Sequence, residues 1–310
     1  MRFVISYFRS FRDFKDTKRM RKTIDFPKRL LKLDDSLKEN LIKNAFLEDL
    51  GERGDITTLA TVSKFNITKT ADIIAKESGI VCGIELFEKS FLYLDREIFI
   101  EKFKVDGEKV ERGEIIAKVS GKADKILSAE RVALNFLGFL SGIATKVFWL
   151  VSRISGSNTK LLDTRKTLPG LRILEKYAVA TGGGYNHRIG LFDMFLIKEN
   201  HIFAVGNIKE AVRRAKEFDS KMIVEVEIQS LDQIDEVMGT EAEIVMLDNM
   251  NDDEVKKGFF MLKEEKYVEV SGNVNEERLL KLAEIGVDFV SMGSLTHTLK
   301  PLDISLLIKS

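Results

Sequence analysis

Cysteine is almost missing from this 310-residue chain, with Cys82 the only one. A single thiol excludes an internal disulfide framework and a cysteine-rich zinc site, and it fits a reducing, cytoplasmic setting. Three prolines and 21 glycines exclude a low-complexity or collagen-like chain. Neither charge is in excess, because 49 Lys and Arg meet 49 Asp and Glu. A general polyanion binder is therefore not indicated, and no nucleic-acid partner is expected. No apolar run reads as long enough to span a bilayer, so no membrane partner is expected either. What is present suffices for folding: 44% hydrophobic and 32% charged residues, at a length of about two ordinary domains.

The neutral total hides an asymmetry. Residues 1–32 carry eleven Lys and Arg against three Asp, a net of +8, which leaves −8 on residues 33–310. The apolar run from Phe3 to Phe8 is too short for a secretory core, and the three aspartates count against a transit peptide. The stretch reads as a solvated basic N-terminal extension. Beyond it, Asp35 or Ser36 can cap a helix carrying Leu37, Leu41, Ile42, Ala45, Phe46 and Leu50, ended by Gly51 and followed by a polar loop over 51–58. Residues 67–119 read as short strands around the turn V-D-G-E-K-V-E-R-G-E-I, which resembles the turn of biotinyl and lipoyl carrier domains. No Met-Lys-Met tip accompanies it, so the turn reads as structural. A helical pattern from Ser128 to Ile154 is apolar nearly all round, which predicts burial between layers or across a subunit interface.

From Lys160 the rhythm changes. Candidate strands at 160–163, 194–198, 222–228, 243–247, 267–270 and 287–292 alternate with helical patterns at about 169–180, 206–217, 230–238, 251–264 and 275–284. Short β-rich strands separated by amphipathic helices predict a parallel sheet with crossover helices. Six such units suggest a closed or nearly closed α/β barrel, with a doubly wound open sheet as the competitor.

In a parallel barrel, chemistry collects at the C-terminal strand ends. Those ends carry Asp163, Thr164, Arg165 and Lys166; then Lys198, Glu199, Asn200 and His201; then Glu225 and Glu227; then Asp248 and Asn249; then Ser271, Gly272 and Asn273; and finally Met292, Gly293 and Ser294. Arg165, Lys166, His187, Arg188, Lys198 and His201 are cationic or can become so, and they fall within one 37-residue span. Guanidinium forks and lysine point charges suit a small, multiply anionic ligand. Glu227 and Asp248 are acidic beside that anion, which calls for an intervening cation, most simply Mg²⁺ with phosphates. Small residues at the last two strand ends would let backbone N–H groups approach a phosphate. The run Thr181-Gly182-Gly183-Gly184-Tyr185-Asn186-His187-Arg188 matches no standard phosphate loop, and it reads as a loop delivering His187 and Arg188 to the anion. His297, four residues past Gly293, either touches a phosphate or caps the last helix.

The stretch LLDTRKTLPGLRILEKYAVATGGGYNHRIGLFDMFLIKENHI closely resembles the signature of the quinolinate phosphoribosyltransferase family. EDLGERGDITT, ERVALNFLGFLSGIAT, VEVE, LDNM, VSGN and MGSLTH extend the resemblance over about residues 37–304. It implies an N-terminal α/β sandwich over 33–139, rejoined by 298–310, and an incomplete parallel α/β barrel over 140–297. It implies the Mg²⁺-dependent reaction of quinolinate with phosphoribosyl pyrophosphate to nicotinate mononucleotide, pyrophosphate and CO₂, in NAD synthesis. It also implies a homodimer or larger homo-oligomer. By motif, Arg165, His187, Arg188 and Lys198 would hold the quinolinate carboxylates, with Arg131 arriving from the neighbouring subunit and Thr164 nearby. Lys166 would lie near the pyrophosphate, and Glu227 and Asp248 would serve the Mg²⁺ and the ribose hydroxyls. Ser271, Gly272, Asn273, Met292, Gly293, Ser294 and His297 would surround the ribose phosphate. Lys166, Lys198, Glu227 and Asp248 are the expected catalytic residues.

Two features depart from the family pattern. Ala180 stands where the family usually has an arginine before its glycines, and the basic head is longer than usual. A non-catalytic relative, a transferase for another base such as the homologue found with molybdate transport, a nicotinate phosphoribosyltransferase and a phosphate-binding α/β isomerase are the alternatives. The NHRIGL and LIKENH strings favour quinolinate.

Overall fold

A computed structural model describes residues 21–309. Twelve strands are present among them: Thr68–Ala75 (β1), Gly79–Ile80 (β2), Phe99–Lys102 (β3), Lys109–Val110 (β4), Ile115–Lys122 (β5), Lys160–Leu162 (β6), Phe195–Ile197 (β7), Val224–Ile228 (β8), Ile244–Asp248 (β9), Tyr267–Ser271 (β10), Phe289–Ser291 (β11) and Ile304–Ile308 (β12). They form a four-stranded antiparallel sheet β12-β1-β5-β3, a small β2-β4 pair and a six-stranded sheet β6-β11-β10-β9-β8-β7.

Every pairing in the six-stranded sheet is parallel. Its order settles the choice between barrel and open sheet. The first strand, β6, pairs with the last, β11, while β7 to β11 follow in sequence order. A doubly wound sheet would reverse direction at a switch point. Here the order runs round a cylinder and stops at one seam, between β6 and β7. The fold is thus an N-terminal sheet domain followed by an incomplete α/β barrel.

The first helix, Asp35–Leu50 (α1), starts one residue earlier than the sequence predicts. Asp34 is its cap, with Oδ1 accepting from the Ser36 and Leu37 N–H groups at 2.9 and 3.2 Å. The polar loop after it is shorter than predicted, because Ile56–Thr61 (α2) is helical and capped by Asp55. Ile84–Leu94 (α3) is a helix within the stretch read as strands. The long helix, Ala123–Arg153 (α4), begins five residues before Ser128. Ser128 is no cap; its Oγ donates to Asp55 Oδ2 at 3.1 Å. This helix buries Val132, Leu134, Leu137, Leu140, Ile143, Ala144 and Val147 between the two sheets' layers. By length and apolarity alone α4 would span a membrane, which corrects the reading that no such run exists; half of its most apolar window is buried inside the protein. It is the core helix joining the two halves. The final strand, β12, adds to the first sheet beside β1.

Around the barrel run the helices Arg172–Thr181 (α5), Glu199–Val205 (α6), Ile208–Phe218 (α7), Ile234–Met238 (α8), Asp252–Leu262 (α9), Glu276–Ile285 (α10) and Ser294–His297 (α11). The turn at 105–115 ties the halves together. Asp106 Oδ1 accepts from the Ile84 N–H at 2.9 Å, and Oδ2 accepts from the Tyr177 hydroxyl of α5 at 2.6 Å.

The basic head is corrected where it is described; residues 1–20 lie outside the described residues. From Arg21 onward it is not a solvated tail. Arg21 pairs with Asp288 at 2.6 Å and lies over the Tyr267 ring. Ile24 and Phe26 pack with Met194, Ile223, Ile244, Tyr267 and Phe289, residues at or just before the starts of β7 to β11. This second, smaller apolar cluster seals the N-terminal end of the barrel. Such a seal uses the head's few apolar side chains, while Arg21 takes an acceptor on the rim.

Candidate active site

A cavity of about 660 Å³ opens at the opposite, C-terminal ends of the barrel strands. That volume suits a ligand of drug size. From the end of β6 come Thr164, Arg165 and Lys166; from the loop before β7 come His187 and Arg188; from β7 comes Lys198. Glu227 rises from β8 and Asp248 from β9. Ser271, Gly272 and Asn273 end β10, and Met292, Gly293, Ser294 and His297 follow β11. The structure thus brings together every substrate-contacting residue predicted from the sequence except Arg131. That residue is exposed on α4 and lines a separate, mostly apolar groove of about 830 Å³ between α1, α4, Leu168–Leu174 and Pro301–Ile304.

The cavity's cations are short of partners. Among the described residues, the guanidinium of Arg165 and the ammonium of Lys166 make no hydrogen bond or ion pair. Arg188 is half-buried, and burial followed by the charge of Arg165 holds its pKa below the ordinary arginine value. Two guanidiniums lining one partly dry cleft suit an anion between them. Lys198 is ion-paired to Glu227, which itself is buried.

Beneath the cations lies a buried acid cluster. His187 Nε2 is 2.9 Å from Glu225 and 3.4 Å from Glu269. Glu225 and Glu269 project inward from the middles of β8 and β10, and both are fully buried. Burial opposes charging of His187, and the carboxylates of Glu269 and Glu225 overcome it, raising the ring to about 10. Yet Nδ1 accepts the Arg188 N–H at 2.7 Å, so the single ring proton of this geometry sits on Nε2. A second proton on Nδ1 would break that bond. Burial and the neighbouring Glu269 push Glu225 up to about 7. Both ring nitrogens of His187 are thus occupied, and its first effect is to hold the backbone of Arg188.

The loop carrying His187 is gripped from below. Asp163, fully buried, accepts from Lys176 Nζ at 2.5 Å, Asn186 Nδ2 at 2.7 Å and the His187 N–H at 2.8 Å. Lys176 also donates to the His187 carbonyl at 3.0 Å. Asp163 is therefore a structural hub and not part of the anion-binding rim. His201 also departs from its predicted cationic role. It is part of the cap of α6, where its Nδ1 accepts the Lys198 N–H at 3.0 Å.

The end of the cavity at β9, β10 and β11 is shaped by the backbone. Asn249, Gly272 and Asn273 have φ of 56°, 90° and 51°, so both β9 and β10 end in left-handed turns. A Cβ on Gly272 would stand 2.2 Å from Asn249 Oδ1 and 2.9 Å from Asn249 N, so only glycine fits. Gly293 leaves room for Lys166 and His297, whose side chains approach within 2.9 and 3.2 Å of where its Cβ would be.

This arrangement can be set beside known proteins. The family profiles for the N- and C-terminal domains of quinolinate phosphoribosyl transferase match residues 55–141 and 143–307. The chain belongs to the quinolinate phosphoribosyltransferase family. It is 40% identical over 269 residues to a probable carboxylating nicotinate-nucleotide pyrophosphorylase of Bacillus subtilis, covering 86% of this chain and 92% of that one. A chloroplastic carboxylating enzyme of Arabidopsis thaliana is 42% identical over 287 residues, covering 86% and 82%. The solved nicotinate-nucleotide pyrophosphorylase of Francisella tularensis superposes with a TM-score of 0.88 at 40% identity, covering 92% of this chain and all of that one.

Relative to the quinolinate phosphoribosyltransferase signature, Ala180 is buried in α5 and does not line the cavity. Sequence reasoning missed three residues that shape the site. Glu269 could have been found as a charged residue in the middle of an otherwise apolar strand. Arg278 donates to the carbonyls of Gly272, at 2.6 Å, and of Met250, bracing both left-handed turns. Lys146 of α4 donates to the Ser294 carbonyl at 2.5 Å. No local pattern marks these last two, because their acceptors are distant in sequence.

Proposed function

We propose that this protein transfers the phosphoribosyl group of phosphoribosyl pyrophosphate to quinolinate and decarboxylates the product. Nicotinate mononucleotide, pyrophosphate and CO₂ result, as one step of NAD synthesis. The observation that carries this reading is the pair of partnerless cations Arg165 and Lys166 in one cleft with Arg188 and Lys198, alongside the carboxylates Glu227 and Asp248. A dianionic pyridine fits between the two guanidiniums and Lys198. A sugar phosphate fits the left-handed turns at Gly272 and Asn273 together with Gly293 and Ser294.

Binding itself does much of the work, since two polyanions that repel each other in water are held at reacting distance. The pyridine nitrogen attacks the anomeric carbon as its bond to pyrophosphate breaks. Positive charge grows on the ribose, and Glu227 and Asp248 carry the sign that stabilises it. Lys166 faces the departing pyrophosphate. In the second step the bond between C2 and its carboxylate breaks, CO₂ leaves, and the electron pair rests beside the cationic ring nitrogen until C2 takes a proton. Glu227 and Asp248 on adjacent strands offer hard oxygen donors, which fit Mg²⁺ better than a softer metal. Bound there, Mg²⁺ would supply charge neutralisation for the diphosphate.

Arg131 and the apolar groove it lines support a homodimer in which Arg131 completes the neighbour's quinolinate pocket. The buried, unpaired thiol of Cys82 supports a cytoplasmic setting; relatives in plants are named as chloroplastic and mitochondrial. The test is incubation with quinolinate, phosphoribosyl pyrophosphate and Mg²⁺, following nicotinate mononucleotide and CO₂, with nicotinate as the control. Product from nicotinate and none from quinolinate would reject the reading.

A further inference from the structure

The segment from Arg21 to Leu30 lies outside both family profiles, which begin at residue 55. Its contacts converge on one place. Lys28 and Asn186 form an antiparallel bridge, with the Asn186 N–H donating to the Lys28 carbonyl at 2.8 Å. The Leu30 N–H donates back to Asn186 Oδ1 at 2.6 Å. Arg29 donates to the Gly183 carbonyl at 2.7 Å and lies 4.2 Å over the Tyr185 ring. Phe26 meets the His187 ring edge-to-face at 5.4 Å and Phe289 at 5.2 Å. Residues 183, 185, 186 and 187 are thus each held by the segment.

The place matters because of the seam. Tyr185 bridges to Leu162 in parallel, so the glycine-rich loop runs beside β6 on the side where no strand follows. A loop with three successive glycines has little stiffness of its own. Elsewhere in the barrel, a neighbouring strand on each side would fix such a backbone. Here α4, Asp163 and Lys176 hold one side of the loop, and the N-terminal segment holds the other. From the inside, Phe26 forms the floor under His187, on the face away from the cavity.

We infer that residues 21–30 are a positioning strap for the quinolinate end of the site. The strap sets the loop that aims Arg188, and it does so without touching substrate. This inference rests on the proposed function for its substrate, but its mechanical part can be read independently. The strap reaches none of the residues around the ribose phosphate, so its loss separates the two substrates.

The test uses the full chain with Phe26→Ala, Phe26→Leu and Arg29→Gln. Loss of a partly buried aromatic edge contact is worth up to about a tenfold change. Phe26→Ala is expected to raise the quinolinate KM about tenfold, with the phosphoribosyl pyrophosphate KM unchanged within about twofold. Phe26→Leu, which refills most of the floor, should restore most of the loss, and Arg29→Gln should show the same selectivity at smaller size. Hydrogen exchange supplies the second readout: amides of residues 182–188 should exchange about tenfold faster in Phe26→Ala, while those of β9 stay unchanged. Equal shifts in both KM values, no shift in either, or uniformly faster exchange would overturn the strap. If the wild-type protein leaves quinolinate untouched, the proposed function falls, and the exchange measurement alone decides the strap.

Discussion

Replacing Lys176 by Met tests how the site's loop is held. The ammonium and the Asp163 carboxylate are both fully buried and lie 2.5 Å apart. Lys176 supports Asp163 by charge and by a hydrogen bond, and it also binds the His187 carbonyl at 3.0 Å. Removing it strands a carboxylate that keeps only the Asn186 and His187 N–H donors. Breaking a buried pair in this way costs about 3–5 kcal/mol. The loss depends on pH in a definite direction. Burial already raises the Asp163 pKa above 3.8, opposed mainly by Lys176, so without Lys176 it rises further. A carboxyl whose folded pKa exceeds its unfolded value loses stability as pH rises above the unfolded value. Urea unfolding followed by circular dichroism should therefore show a smaller deficit at pH 5 than at pH 8. Adding Asp163→Asn should recover about half of the pH 8 deficit, because no charge is then stranded. A deficit below about 1 kcal/mol at pH 8, or one equal at both pH values, would refute the reasoning.

Arg188→Ala and Lys198→Ala should each lower kcat/KM for quinolinate by about a hundredfold or more, as expected for loss of a charge-assisted contact, measured by steady-state product formation. Gly272→Ala forces a left-handed φ on alanine and drives its Cβ into Asn249, so stability should fall by about 1–3 kcal/mol and the phosphoribosyl pyrophosphate KM should rise. Glu175 is fully buried, with one oxygen unpartnered among the described residues, and burial pushes it up to about 7. It therefore favours the folded state below its unfolded pKa, and that contribution fades as pH rises toward 7. Glu175→Gln should remove this loss, on the order of 2–3 kcal/mol, so the variant's melting temperature should change less between pH 5 and 8 than the wild type's.

Much of the barrel was legible because each unit carries its own signal. VEVEI and IVMLD are short, β-rich and fully bounded, and their helices are amphipathic with local caps such as Asn207, Asn251 and Asn275. Where the cap is remote, the sequence misleads. Helix α3 starts at Gly83, which offers no side chain, and its first N–H is satisfied by Asp106 from the turn 22 residues downstream. Its Ile84, Leu86, Phe87 and Phe91 then look like strand residues. The head failed for the same reason. Its cations suggested solvent because their partners, Asp288 for Arg21 and Tyr185 for Arg29, are far along the chain.

The barrel interior shows why the site's cations were easy to find and their supports were not. Strand ends face a cleft, so a charged residue there stands out against apolar neighbours. Inside, the cylinder divides at His187. Above it the lining is polar and open to ligand; below it Phe26, Ile24, Phe289 and Tyr267 close an apolar plug. Glu225 and Glu269 sit at that division, fully buried, where a lone carboxylate would be costly. Glu225 persists because His187, itself wedged by Phe26, shares its proton with it, and Glu269 lies 3.4 Å from the same ring nitrogen. The N-terminal strap, the acid cluster and Arg188 are therefore one mechanical column from the barrel floor to the cleft. Local sequence patterns report only the top of such a column, because each member below it is specified by a residue on a different strand.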